Sequence, residues 1–271
     1  MALTVGQIEA KLFDAFPSYD AEDWDKVGLS VGRRSQEVHK IALALDVTTD
    51  AIRKAQQFGA ELLLTHHPIF LSAPHSFEPL EEGGLSPASS LYEAARLGVS
   101  VISMHTNLDR SKTAARLMPE MLDLEFIDQY EKRFANKGER ELGRLGALSR
   151  AKNDALTLEM LAKKAKQSFG RVLSVWGDPH TKVRNVLSSS GSLSDMGFEA
   201  FMRKDVDTIV TGELSYHKAL DLSIQGLNLI LLGHDVSELP YTKILFDIVR
   251  TMNFDSSQIL TIQQDKNWWS L

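Results

Sequence analysis

The chain has 271 residues, 43% of them hydrophobic and 24% charged, a globular composition that excludes a disordered chain. Thirty basic residues against 36 acidic ones leave a net charge of −6, which argues against a general nucleic-acid or anionic-membrane binder. With zero cysteines, disulfides, thiolate metal ligands and thiol nucleophiles are excluded.

Taken in order, Thr4-Val5-Gly6-Gln7 reads as a capping box ahead of a helix carrying Val5, Ile8, Leu12 and Phe16. The first residues lack the basic and apolar regions of a secretory leader, and no apolar run nears the ~18 residues of a membrane span. The cytoplasm is the expected compartment, with no membrane partner. A strand over Ile41–Val47 is followed by a helix over Thr48–Phe58 closed by Gly59, then a strand over Leu62–Thr65. Phe70–Pro87 is a long aperiodic loop. Pro87–Leu97 reads as a helix with Gly98 after it, and Val99–Met104 as the next strand.

Beyond the charged stretch Glu131–Arg144 the alternation resumes. Strands are expected at Val172–Trp176, Val183–Leu187, Thr208–Thr211 and Asn228–Leu232, with helices near 157–169, 194–204 and 216–225. A last helix (Pro240–Met252) and strand (Ile259–Ile262) return to the first domain. The pattern predicts an α/β protein with largely parallel covered sheets. Its first domain spans 1–126 plus 241–271 and its second 127–240.

Most common motifs are missing. Gly28-Leu29-Ser30-Val31-Gly32 matches G-x-S-x-G, but its flanks supply neither the buried strand nor the helix of a nucleophile elbow. Five histidines (His66, His67, His105, His217, His234) lie at or just after the carboxyl ends of predicted strands, the edge at which open parallel sheets bind ligands. Three segments concentrate the chemistry: Leu64-Thr65-His66-His67-Pro68, His105-Thr106-Asn107-Leu108-Asp109, and Gly233-His234-Asp235-Val236-Ser237-Glu238. Pro68 favours extended backbone before it, so His66 and His67 are expected to point to opposite sides and to serve two ions rather than one. His234 and Glu238, four apart at a helix start, share a face. Read singly, these segments are also a turn, an Asp235-x-x-Glu238 cap and an Asp109 cap; their coincidence on one sheet edge favours a site. Ser188-Ser189-Ser190-Gly191-Ser192 reads as a turn between strand and helix that either holds a phosphate or only turns the chain. Tyr216-His217 lines a cavity or packs, and Trp268-Trp269 is a packing anchor or a subunit contact.

These segments, with Trp24-Asp25-Lys26-Val27-Gly28-Leu29 and Thr211-Gly212-Glu213-Leu214-Ser215-Tyr216-His217, resemble the motifs of the Nif-three-like proteins, also called GTP cyclohydrolase I type 2 homologs. The resemblance runs from about residue 20 to 240. It implies two interlinked α/β domains, a dinuclear metal centre and a toroidal homohexamer. By position, the metal ligands would be His66, His67, Asp109, His234 and Glu238, with Glu238 bridging and His105 and His217 close by. Relatives often continue past the aspartate with a Gly-Gly-Val-Asn-like turn, whereas here Arg110-Ser111-Lys112-Thr113 follows Asp109.

Five ligands for two ions make an open site. Two divalent cations, two carboxylates and a hydroxide leave roughly one positive charge, which favours a small anionic substrate. The expected activity is metal-assisted hydrolysis of an anionic or nucleotide-like substrate, with a metal-activated water as nucleophile and His105 or His217 as catalytic proton carrier. The alternative is a metal-binding, metal-delivery or regulatory protein without turnover. The cofactors would be two divalent ions per chain; nitrogen and oxygen donors admit Zn, Mn, Fe, Co or Ni.

Overall fold

The computed structural model describes residues 2–72, 75–78, 86–131, 145–193, 202 and 204–263. The chain divides into two compact units, Met1–Leu108 with Tyr241–Leu271, and Asp109–Pro240. The first division therefore falls at 108/109, against 126/127 in the sequence reading, and the second at 240/241.

The first unit is built on a five-stranded sheet. Gly28–Val31 (β2), Ile41–Ala44 (β4), Leu62–Thr65 (β5), Ser100–Ser103 (β6) and Ile259–Thr261 (β13) lie in the order β13-β4-β5-β6-β2. All pair in parallel except β2, which runs antiparallel to β6 at one edge. Leu3–Thr4 (β1) and Glu37–Val38 (β3) form a separate antiparallel pair. The helices are Val5–Ala15 (α1), Thr49–Phe58 (α2), Pro87–Leu97 (α3), Thr106–Asp109 (α4, ending at the division) and Tyr241–Thr251 (α9).

Local chemistry explains these elements. Thr4 completes the expected capping box with Gln7. Thr48 caps α2, which ends at Gly59 in the left-handed conformation at φ +80°. Every residue of β4 and β5 is buried, as parallel strands covered on both faces must be. Ala42 and Ala44 of β4 pack with Ala51, Ile52 and Ala55 of α2, small side chains that let helix and sheet approach closely. The Gly28–Val31 segment is this edge strand, with the Ser30 hydroxyl donating to the Val101 carbonyl at 3.3 Å. The next elements after it are β3 and β4, so no nucleophile elbow exists here.

The second unit carries a six-stranded sheet. Glu125–Glu131 (β7), Leu145–Arg150 (β8), Ser174–Trp176 (β9), Asn185–Ser192 (β10), Thr208–Glu213 (β11) and Asn228–Leu231 (β12) lie in the order β7-β8-β10-β11-β12-β9. Only β10, β11 and β12 are parallel, so this sheet is mixed rather than largely parallel. Lys112–Met121 (α5), Leu158–Phe169 (α6), Tyr216–Ile224 (α7) and His234–Glu238 (α8) accompany it. Met118 and Leu122 join Leu158, Leu161, Val186, Val210 and Ile230 in one core, which is why the chain from 109 onward belongs here. Leu187, Ile209, Leu222 and Leu229 form another.

The serine run corrects its sequence reading. Ser188 to Ser192 are the end of β10, with a bulge between Ser189 and Ser192, so they make no turn into a helix. The helix expected near 194–204 lies outside the described residues except at 202 and 204, as do much of the 70–87 loop, the 132–144 stretch and Trp268-Trp269. Among the described residues, no helix is long and apolar enough to cross a membrane.

Candidate metal centre

In the first unit the register aligns Ala44, Thr65 and Ser103 across the sheet, so β4, β5 and β6 end level. The Thr65 hydroxyl donates to the His67 carbonyl at 2.8 Å, and the His67 N–H donates to the Leu45 carbonyl at 2.9 Å. These bonds bend the chain at His66 and His67 instead of extending it. The two rings consequently lie on the same side, 5.0 Å apart between centroids. This overturns the expectation that they face opposite sides, because the bend removes the two-residue alternation on which it rested.

His105, just beyond β6, completes a cluster. Its ring is 5.2 Å from that of His66 and 5.6 Å from that of His67. One ring nitrogen from each of the three lies within 4.8 Å of the others. The side of the ring turned away from the cluster is held in every case. His66 Nδ1 lies 2.9 Å from the Met104 carbonyl, His67 Nδ1 2.6 Å from Asp46 Oδ1, and His105 Nδ1 2.9 Å from Asp25 Oδ1. These oxygens accept, so each Nδ1 donates, and in the neutral ring the lone pair sits on Nε2. His66 is fully buried, with the Tyr241 ring edge-on at 4.9 Å.

Asp25 is itself sequestered. Its side chain is 0% exposed and accepts from the Thr106 N–H at 3.0 Å and from the Thr106 hydroxyl. Burial pushes its carboxyl up, but the bonds from His105 and Thr106 outweigh that and hold it at about 2. Trp24 stands half-exposed beside it, its ring edge-on to His105 at 6.0 Å.

In the second unit α8 starts at Gly233, whose φ of +108° only glycine adopts readily. His234 and Glu238 share a face as expected, with His234 Nε2 3.1 Å from Glu238 Oε2. On its other side, His234 Nδ1 lies 3.0 Å from Glu213 Oε1. Bonding to Glu238 raises the His234 imidazole to about 9 against the opposing effect of burial, with Glu213 adding to the rise. Proton and metal ion would therefore compete for the same nitrogen. The β10 bulge seats this pair: the Gly191 N–H donates to the Ser237 hydroxyl at 2.9 Å, and that hydroxyl donates to the His234 carbonyl at 2.7 Å. A Cβ on Gly191 would collide with Glu238 Oε1, so the glycine leaves the room the carboxylate occupies. Asp235 does not cap the helix; it pairs with Arg171.

Asp109 closes α4, and the cap of α5 is Ser111, whose side chain accepts from the Ala114 N–H, which removes the capping role considered for Asp109. Among the described residues Asp109 joins no group of three donors at the 4.8 Å spacing. The same is true of His217, which is exposed at the start of α7 and packs against Tyr216 at 5.4 Å. Tyr216 in turn lies 5.8 Å from Trp176. The carboxylates Asp25, Asp46 and Glu213 escaped the sequence reading as site residues. Asp25 and Glu213 stand inside strings that carried the resemblance, and Asp46 follows the end of β4. They also lower the positive charge that a count of two carboxylates gives.

The donor set fits divalent metal. Imidazole and carboxylate suit Zn, Mn, Fe, Co or Ni, and imidazoles with Nδ1 held by carboxylate or carbonyl are the usual surroundings of a metal-ligating histidine.

Comparison with known proteins gives one answer. Residues 3–267 match the model of the family described as Duf34/NIF3 (NGG1p interacting factor 3). A Clostridium acetobutylicum protein named "GTP cyclohydrolase 1 type 2 homolog" is 31% identical over 242 residues, covering 89% of this chain and 87% of that one. A Helicobacter pylori protein named "GTP cyclohydrolase 1 type 2" is 28% identical over 248 residues, covering 91% and 90%. The crystal structure of a Bacillus cereus protein related to NIF3 shares the fold, with a TM-score of 0.81 at 18% identity and 99% of each chain covered. The motifs at the sheet edges and the match over nearly the whole length agree, and the chain belongs to the Duf34/NIF3 family.

Proposed function

We propose that this protein is a metal-dependent hydrolase acting on a nucleotide-like, anionic substrate, and that donors drawn from His66, His67, Asp109, His234 and Glu238 would hold two divalent ions. The observation that supports it best is the cluster of His66, His67 and His105, each with Nδ1 already held by an oxygen. Bound ions would supply Lewis acidity and lower the pKa of water. Asp25 and Asp46 orient the imidazoles, and Glu213 orients His234. His105, whose ring clusters with those of His66 and His67, is a further donor open to an ion; where no ion takes its Nε2, that nitrogen accepts and returns a proton, steadied as imidazolium by the Asp25 carboxylate. His217 is the second candidate for that role. The substrate class rests on the names of the relatives, "GTP cyclohydrolase 1 type 2" and its homologs. We further propose, from the family resemblance, a homohexamer working in the cytoplasm; light scattering should then give a particle six times the mass of the 30.2 kDa chain.

The test is turnover. Protein loaded separately with zinc, manganese and iron is incubated with GTP and with a panel of phosphoesters and amides. Hydrolysis that disappears in His66→Ala and Glu238→Ala supports the reading. Inactivity on every substrate, combined with ready transfer of the ions to a competing chelator, would replace it with the metal-delivery reading.

A further inference from the structure

Four imidazoles at the two sheet edges, His66, His67, His105 and His234, turn Nδ1 toward an oxygen, yet the oxygens differ in kind. His66 meets the Met104 carbonyl, His67 the Asp46 carboxylate, His105 the Asp25 carboxylate and His234 the Glu213 carboxylate. A carbonyl only fixes which nitrogen carries the proton. A carboxylate also places negative charge behind the ring, which makes the opposite nitrogen a stronger donor. The two carboxylates of the first unit differ further in setting. The Asp46 side chain is 47% exposed, whereas that of Asp25 is 0% exposed and carries two additional bonds from Thr106.

The loop bearing Asp25 is anchored for this purpose. The Asp25 N–H donates to the Glu22 carbonyl at 2.9 Å, and the Glu22 N–H donates to the Thr106 hydroxyl at 2.9 Å. Thr106 follows His105 directly, so hydrogen bonds tie carboxylate, loop and imidazole to one another. Asp46 is placed differently, on the turn between β4 and α2, where the Leu45 carbonyl beside it receives the His67 N–H.

We infer that Asp25 and Asp46 are positioning residues, which hold His105 and His67 in the Nδ1–H form and strengthen their Nε2 atoms as donors to a divalent metal ion. Asp46 acts under partial solvent screening and Asp25 without it, so removing Asp25 weakens the metal more than removing Asp46. The inference rests on reading these imidazoles as metal donors; it does not depend on whether the loaded protein hydrolyses anything.

Two measurements test it. The first is nitrogen-15 NMR of the imidazoles in metal-free protein, which reports the protonated nitrogen directly. Neutral His67 and His105 should carry the proton on Nδ1, and Asp46→Ala should convert His67 to a mixture of the two forms. The second is competition for zinc against a chelator at fixed pH. Asp46→Ala should lose about 10-fold in affinity and Asp25→Ala toward 100-fold, with Asp46→Asn between wild type and Asp46→Ala because its amide oxygen still accepts. Asp50→Asn, which removes a nearby carboxylate paired with Lys54, should bind within about twofold of wild type. Should Asp25→Ala fail to fold, the Asp46 series decides. A proton found on Nε2 of His67 and His105 in the wild type, or unchanged zinc affinity in Asp46→Ala, overturns the inference. If the wild type binds no zinc, the metal reading fails, and the NMR result still decides whether the carboxylates set the tautomer.

Discussion

His105 Nδ1 lies 2.9 Å from Asp25 Oδ1, although the two residues are 80 positions apart in the chain. That bond joins a loop near the start of the chain to the end of a central strand, and it orients one of three clustered imidazoles. A site made from such bonds should be sensitive to substitutions well removed from it in sequence.

Metal content is the first quantity to measure. Untagged protein purified without chelator should carry two equivalents of divalent metal per chain by elemental analysis, falling well below that in Glu238→Ala and His66→Ala. Less than half an equivalent after anaerobic reloading with iron, manganese and zinc would remove the ligand assignment.

Gly191 and Gly98 separate backbone strain from crowding. Both have positive φ, +61° and +71°, but a Cβ on Gly98 meets nothing within 4 Å while one on Gly191 collides with Glu238. Gly98→Ala should cost about 1 kcal/mol of stability and leave metal content unchanged. Gly191→Ala should cost about 1–3 kcal/mol and also reduce metal binding, because the carboxylate must move. Equal metal content in the two variants would show that Glu238 is not a donor.

Glu93 should shape the acid limb of the stability curve. Its side chain is buried, and hydrogen bonds from Arg96 and then Arg53 hold its carboxyl at about 2 against the ordinary 4.5. A depressed folded-state pKa stabilises fully above the unfolded value, and the contribution is lost as pH falls from about 4.5 toward 2. Glu93→Gln should therefore be less stable than wild type at pH 7, by about 1 kcal/mol given its exposed arginine partners, with the gap closing below pH 4. Urea unfolding at several pH values measures it; a gap that widens on acidification would refute the assignment.

Core packing makes a prediction independent of the site. Ile52 is 0% exposed and fills the space between α2 and the alanines of β4. Ile52→Ala should cost about 2–5 kcal/mol in denaturant unfolding, since the small neighbours leave little to collapse into the cavity.

Much of this could be read from the chain before folding. The capped helices at Val5 and Thr49, the glycine stops at Gly59 and Gly98, and the buried runs Leu62–Thr65 and Asn228–Leu231 are local signals. Capping bonds, left-handed glycine and hydrophobic period act within a few residues, so the sequence states them openly. The motifs at the strand ends likewise marked His66, His67, His105, His234 and Glu238 as worth attention.

Other features were closed to sequence reading. Glu125–Glu131 is a charged edge strand whose polarity hid its pairing with β8. The serine run of β10 read as a turn because serine and glycine serve turns and bulges alike. The bend that turns His66 and His67 to one side depends on Thr65 and on the Leu45 carbonyl of the neighbouring strand. Which oxygen backs each imidazole depends on strand register and on loops brought in from 21 to 80 positions away. Residue type and spacing marked the candidate donors, because those are properties of the chain. Their common side, their tautomers and their partners were decided only when non-local packing brought together groups that no local pattern connects.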